Sequence, residues 1–187
     1  MLMPVSMQHL RSLCLLQPLL VHASNSPLGM SRADNLYGLL FNAKSIVNKL
    51  SELHYLLYCT NVDIFVITET WLPIDIMSIL LDSKGLLTVL RKDRIFLRGG
   101  GVCVLVRKPL CVISINLGNE FDDLEMICFD LNLTGNHTRF FALYRPPGYD
   151  SELVMLFVMY VSLLNVSLDS KVLNTTILSY VMLIFPR

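Results

Sequence analysis

The sequence has few charged residues and no excess of either sign. Charged side chains make up 16% of its 187 residues, with 15 basic and 15 acidic ones, while 53% of the residues are hydrophobic. A typical soluble domain has about 25% charged residues. A net charge of zero gives no overall signature of nucleic-acid binding, although a local basic strip can exist within a neutral total. The composition indicates a single domain with a sizeable core, or apolar surface that is left exposed.

Two common kinds of site are also missing. The five cysteines form no Cys-x-x-Cys pair, and their odd number argues against a zinc site or a disulfide framework. No Gly-x-x-x-x-Gly-Lys-Ser/Thr pattern occurs, which excludes a nucleotide-binding P-loop. Most of the cysteines lie inside apolar runs, where a thiol packs as a small hydrophobic group. We therefore expect a reducing compartment, nuclear or cytoplasmic rather than secreted.

Residues 1–34 are expected to form a poorly ordered leader. A short apolar run at 13–21 follows a weakly basic start, which is the outline of a signal peptide. Gln17 and Pro18 interrupt that run, and the start carries little charge. The signal peptide stays open as an alternative interpretation of this segment.

A strand, a helix and a second strand are predicted to follow. The first strand, 36–41, ends at Asn42, and the second begins at Asp63 and ends just before Glu69. Between them, 45–58 places apolar residues three and four positions apart, as one face of a helix does. This order implies a parallel pair with a right-handed crossover. Asn42 and Glu69 then lie at the same edge of the sheet, where open α/β sheets bind ligands.

The rest of the chain predicts an antiparallel portion beside that unit. Short apolar runs separated by turns indicate further strands, at 86–90, 103–107, 112–117, 124–131 and 139–144. A helix at 153–168 and a strand-like segment at 174–185 come last. The apolar run that opens this helix is shorter than the ~20 residues needed to cross a bilayer, so we expect no membrane span.

Five short motifs occur in order along the chain: Leu40-Phe-Asn-Ala-Lys-Ser-Ile46, Asp63-Ile-Phe-Val-Ile-Thr-Glu-Thr-Trp-Leu72, Arg91-Lys-Asp-Arg94, Arg98-Gly-Gly-Gly-Val-Cys-Val104 and Leu143-Tyr-Arg-Pro-Pro147. Together they resemble the amino-terminal part of the endonuclease/exonuclease/phosphatase domain of non-LTR (LINE-type) retrotransposons. The resemblance implies an α/β fold, a four-layer α/β sandwich truncated at the C-terminus and formed by residues 35–187. It implies Mg²⁺ as the cofactor, DNA as the partner and nicking of a phosphodiester as the reaction.

The resemblance also implies roles for individual residues. Glu69 matches the metal-binding glutamate of the family, and Asn42 matches the asparagine that helps to orient the metal and the phosphate. Tyr144 matches the tyrosine that contacts the scissile phosphate. One carboxylate with phosphate oxygens and waters is adequate chemistry for Mg²⁺. Weaker contacts with nucleic acid are expected from three basic residues, Arg94, Arg98 and Arg145.

The sequence departs from the family near its end. The family places an Asp-x-Asn motif after a late apolar strand, but 179–186 contains no acid. No histidine stands where the family has its acid/base histidine. We therefore expect a nuclease-like fragment without activity. The alternative is a non-catalytic fragment that binds nucleic acid or protein. For Trp71, a place in the core or at its rim is preferred to base stacking.

Overall fold

The computed structural model describes residues 17–22, 35–95, 99–133, 136–145, 152 and 180–186. Within them the chain forms two β-sheets and an α-helix, which confirms the predicted α/β class. The helix is α1 (Leu50–Cys59), and three 3-10 turns cover Val47–Lys49, Ser78–Leu80 and Asn119–Phe121. The strands are β1 (Gln17–His22), β2 (Asn35–Asn42), β3 (Ile64–Thr68), β4 (Leu87–Lys92), β5 (Val102–Arg107), β6 (Val112–Ile115), β7 (Glu125–Leu133), β8 (Asn136–Tyr144) and β9 (Tyr180–Pro186).

The first sheet contains the predicted parallel pair. Its strand order is β1-β2-β3-β5-β4, in which β2 and β3 are parallel and the other neighbours are antiparallel. Asn42 pairs with Thr68 at the carboxyl ends of β2 and β3. The prediction that Asn42 and Glu69 leave the sheet at the same edge is therefore confirmed.

Helix α1 connects β2 to β3 and covers one face of this sheet. Its buried residues, Leu53, Leu56 and Leu57, are spaced three and one apart and lie in one cluster with the alternate residues Phe65 and Ile67 of β3. The helix begins at Leu50, later than the predicted 45, because residues 47–49 form a tighter 3-10 turn.

The second sheet packs on the opposite face of the first. Its order is β6-β7-β8-β9, and every neighbouring pair is antiparallel. A buried cluster fills the space between the sheets, with Val66 and Val104 from the first and Phe129 and Phe140 from the second. The two phenylalanine rings stack with their centroids 5.1 Å apart. Because side chains alternate along a strand, every second residue of β7 and β8 enters this core.

Several predictions concern the ends of the chain. Residues 17–22, predicted as part of a leader, pair with β2 as strand β1, and the other residues of 1–34 lie outside the described residues. The final strand spans 180–186, later than predicted. The predicted helix at 153–168 lies outside the described residues. No helix in the described ranges is both long and apolar enough to cross a membrane.

Candidate functional site

Glu69 and Tyr144 meet at one edge of the two facing sheets. Glu69 directly follows β3, and Tyr144 is the last residue of β8. The Tyr144 hydroxyl donates a hydrogen bond of 2.7 Å to Glu69 Oε1, across 75 residues of sequence. The structure thus brings together two residues that the resemblance placed in one site, and it does so by joining one sheet to the other.

Tyr144 is held as a hydrogen-bond donor. Burial raises its pKa above the ordinary value of 10.0, and the hydrogen bond to Glu69 and the negative charge of that carboxylate raise it further. Glu125 acts in the same direction, while Arg94 opposes the shift. Tyr144 therefore keeps its proton throughout the neutral range, and its hydroxyl remains able to donate to a carboxylate or a phosphate oxygen.

The loop after β2 carries Asn42 to the same edge. Backbone bonds continue beyond the paired strands, because Ala43 N donates to Thr68 O and Ser45 N donates to Glu69 O, each at 2.9 Å. The Asn42 side chain accepts a 3.0 Å bond from Lys44 N through Oδ1, which closes its own turn. The side-chain oxygen of Asn42 therefore lies against the loop backbone. Asn42 ends β2, and Glu69 follows the neighbouring strand β3.

Backbone strain is concentrated in these two loops. Among the described residues, four other than glycine have positive φ: Lys44 (44°), Ser45 (77°), Glu69 (51°) and Trp71 (52°). Each such residue costs about 1–3 kcal/mol and persists only where surrounding contacts fix it, which is common at binding sites. The bonds between the loops supply such contacts, so the positions of Asn42 and Glu69 are set by the backbone.

Glu125 is a residue of this site that the sequence prediction missed. It is the first residue of β7 and pairs with Tyr144 across the strands. Its Oε2 accepts a 2.6 Å bond from Gly101 N, and its Oε1 is bound by Arg94 in a largely buried ion pair. Its place opposite Tyr144 follows from the strand register, in which Leu133 pairs with Asn136. With both oxygens engaged, Glu125 connects the sheets and is poorly placed to bind a metal.

The glycine run forms a close contact between loops. Gly99, Gly100 and Gly101 all have positive φ. A Cβ at Gly100 would overlap the guanidinium of Arg94, and one at Gly101 would lie 2.5 Å from Thr70 Oγ1. The Gly101 amide is already bound by Glu125. The Gly101 amide therefore does not offer a free phosphate site.

The basic residues expected to contact DNA have different surroundings. Arg94 is paired with Glu125, so its charge is compensated within the protein. Arg91 is bound to Asp93 at 2.6 Å and to the carbonyl oxygen of Pro73. Arg145 follows Tyr144 at the edge of the site and is partly buried. Arg98 lies outside the described residues.

The triplet Asp130-Leu131-Asn132 matches Asp-x-Asn in letters but lies elsewhere. Asp130 is five residues from Glu125 along β7, which is about 17 Å in a strand. Its carboxylate is held by Arg139 at 2.7 and 2.8 Å. It also alternates with Phe129 and faces away from the core between the sheets. This triplet therefore does not supply the missing part of the site.

The donor groups at this edge are oxygen atoms. In the described residues no group of three or more His, Cys, Asp or Glu residues could hold an ion. Glu69 and the amide of Asn42 offer oxygen donors only, which suits a hydrated Mg²⁺ that completes its shell with phosphate oxygens and waters. Thr68 and Thr70, on either side of Glu69, have buried hydroxyls with no hydrogen-bond partner among the described residues. Such unsatisfied groups are rare in cores and mark this edge as unusual.

Comparisons of the chain with models of known protein families, with curated proteins and with solved structures give no match. The function is therefore inferred from the motifs and from the geometry of the site.

Proposed function

We propose that this chain is a fragment of a Mg²⁺-dependent phosphodiesterase domain of the endonuclease/exonuclease/phosphatase type, as in non-LTR retrotransposons. It keeps a site for a cation and a DNA phosphate but does not hydrolyse the phosphodiester. The observation that carries the proposal is the 2.7 Å hydrogen bond between Tyr144 and Glu69. Two residues that are 75 positions apart in sequence meet where the edges of two sheets converge.

The layers of secondary structure in the described residues support the proposal. Helix α1, the first sheet and the second sheet form three successive layers, with an apolar core between the two sheets. We infer that a fourth, helical layer lies on the outer face of the second sheet. Phe141 and Leu143 on that face are buried, as residues under a further layer are.

The site supports binding of a cation and a phosphate. Tyr144 holds Oε1 of Glu69, which fixes the carboxylate and leaves its other oxygen for a cation. The Asn42 amide oxygen is a second donor of the same hard type. When bound, Mg²⁺ would neutralise phosphate charge and polarise the phosphoryl oxygens. The Tyr144 hydroxyl remains protonated and reaches a phosphate by exchanging its acceptor from Glu69 to a phosphate oxygen.

Among the described residues, this edge shows no counterpart of the groups that move protons during hydrolysis. Strand β9 runs antiparallel to β8, so Tyr180 pairs with Tyr144, and Pro186 pairs with Thr138 at the opposite end of the sheet. No acid occurs between 179 and 186. A general acid or base contributes about 10²–10⁴-fold to the rate. Without such groups to align and activate water, we expect turnover at the background level.

Plasmid nicking in the presence of Mg²⁺ tests the absence of activity. We expect the chain to nick supercoiled DNA no faster than its Glu69→Gln variant. Glu120→Gln is the matched control, because Glu120 is an exposed glutamate in a 3-10 turn of the described chain. Nicking by the unmodified chain and by Glu120→Gln, but not by Glu69→Gln, would show a working enzyme and disprove the inactive state.

Metal-dependent DNA binding tests the site itself. We expect Mg²⁺ to strengthen binding of a short DNA duplex, and Glu69→Gln to remove most of that increase because the variant loses the anionic donor. Fluorescence anisotropy of a labelled duplex with and without Mg²⁺ measures both effects. Equal Mg²⁺ dependence in the unmodified chain and in Glu69→Gln would show that Glu69 holds no cation.

A further inference from the structure

A cleft of about 650 Å³ opens beside the loop that carries Glu69. Its lining combines an aromatic ring, aliphatic carbons, a guanidinium, a hydroxyl and glycine backbone, supplied among others by Trp71, Pro73, Arg94, Ser45 and Gly99. A cleft of this size and mixed character is of the kind that binds small planar ligands.

Trp71 is the residue that distinguishes this cleft. Its side chain is 46% exposed, although tryptophan is highly buried on average. Its backbone adopts φ 52° and its N–H donates a 3.0 Å bond to Gly100 O. A Cβ on Gly99 would lie 3.5 Å from Trp71 Nε1, so the indole lies beside bare backbone. The protein thus holds a partly exposed aromatic ring on a strained backbone.

We propose that this cleft binds an unpaired nucleobase of single-stranded DNA, stacked on Trp71. The inference rests on the proposed function, because the phosphate of the same strand would lie at the Glu69 site. Trp71 is two residues from Glu69, a separation of at most about 7 Å. One short strand can therefore reach both positions.

The charge of the cleft favours a base over a second phosphate. Arg94, the cation in its lining, is already neutralised by Glu125. A phosphate would have to compete with that carboxylate, whereas a base needs only a flat π-face and polar atoms at its edge. Stacking on Trp71 should therefore contribute a similar binding free energy for every base and depend only weakly on salt. Contacts with phosphates, by contrast, weaken strongly as salt increases.

The chain provides its own probe, because Trp71 is its only tryptophan. Intrinsic tryptophan fluorescence can be followed during titration with oligothymidylate of about eight nucleotides. The same titration with an abasic strand of equal length keeps the phosphates and removes the bases. We expect quenching by the thymidylate strand and little change with the abasic strand.

Variants separate stacking from folding. We expect Trp71→Ala to weaken binding of a labelled oligothymidylate by about 5- to 150-fold and Trp71→Phe to weaken it less, because a smaller ring still stacks. Ile74→Ala is the matched control, since Ile74 is an exposed apolar residue three positions away. It should bind as the unmodified chain does. Circular dichroism of each variant checks that the fold is retained.

The outcomes distinguish the inference from the function on which it rests. Equal quenching by the abasic strand, or equal affinity of Trp71→Ala and the unmodified chain, would overturn the stacking site. If Glu69→Gln still removed Mg²⁺-dependent duplex binding, the proposed function would stand alone. Quenching by a proline-rich peptide but not by DNA would assign the cleft to a peptide and overturn the inference. No binding of any DNA would disprove both.

Discussion

Tyr144 donates a hydrogen bond to Glu69, and it can do so only while its hydroxyl keeps its proton. A tyrosine that keeps its proton beside a carboxylate makes a charge-assisted hydrogen bond, of a kind that contributes about 1.5–3 kcal/mol. Because Tyr144 is buried, losing that proton would place two negative charges side by side in a poorly solvated position. The pair is therefore stable over the neutral range and sensitive to alkaline pH.

We expect Tyr144→Phe to remove part of the alkaline sensitivity of folding. The folded pKa of Tyr144 is raised above its unfolded value of 10.0. The unfolded chain loses this proton first, so the stabilisation is complete below about pH 10 and decreases as the pH rises further. Urea denaturation at pH 8 to 11 measures the effect. The variant should be less stable at pH 8 but should lose less stability with increasing pH. Parallel curves for the two proteins would contradict the assignment.

Sequence reasoning predicted the positions of residues that stand in a local motif, while their roles stay predictions. Asn42, Glu69 and Tyr144 each follow or end an apolar strand, and the structure brings Tyr144 and Glu69 into contact. Glu125 was missed because its position opposite Tyr144 depends on the pairing of β7 with β8. The pairing of Arg94 with Glu125 likewise depends on how two sheets approach, which no local pattern encodes.

The elements around the site depend on glycine for their close approach. The loop before β5 contacts the loop after β3, since Gly100 and Gly101 accept bonds from Trp71 N and Thr70 N. These bonds connect the cleft to the Glu69 loop. A side chain in this region would therefore disturb both loops together.

We expect Gly101→Ala to destabilise the protein more than Gly85→Ala does. Both glycines have positive φ, 86° and 67°, so both variants carry a backbone cost of about 1–2 kcal/mol. At Gly85 a Cβ meets nothing within 4 Å, whereas at Gly101 it would lie 2.5 Å from the buried hydroxyl of Thr70. Overpacking adds about 1–3 kcal/mol. Equal free energies of unfolding in urea for the two variants would show that the contact is relieved easily.

At the level of elements, the sequence predicted the parallel unit and missed strand β1. The helix period of 45–58 and the apolar run of β3 are strong local signals. In β1, by contrast, Pro18 argued against regular structure. The structure places this strand at the edge of its sheet, where a residue without an N–H is tolerated because one side of the strand forms no ladder. A sequence pattern cannot distinguish an edge from a centre before the strand order is known.

The layers of the fold divide the four described cysteines into two that are buried and two that are exposed. Cys103 lies on β5 under helix α1, and Cys128 lies on β7, both buried, while Cys59 and Cys111 are exposed. Burial raises the pKa of Cys103 to about 12, so little reactive thiolate forms in the folded protein. The two classes follow from the layers described and not from local sequence.

We expect a thiol reagent to modify Cys59 and Cys111 rapidly in the native protein, and Cys103 and Cys128 at least about 100-fold more slowly. A Cys14→Ser background leaves these four thiols as the reporters. Mass spectrometry of peptides after timed labelling measures each rate, and labelling in urea supplies the unprotected reference. Rapid native labelling of Cys103 would mean that helix α1 does not cover the first sheet.

The order of the strands also has a consequence for how the chain reaches this structure. Four antiparallel pairs, β1–β2, β4–β5, β6–β7 and β7–β8, join residues at most 23 positions apart, whereas β3–β5 and β8–β9 join residues 34 to 48 positions apart. The four more local pairings require little loop closure and form early. The contact between Tyr144 and Glu69 spans 75 residues and requires both sheets. We therefore expect the edge that carries Glu69 and Tyr144 to be among the last parts of the molecule to assemble, when the two sheets dock.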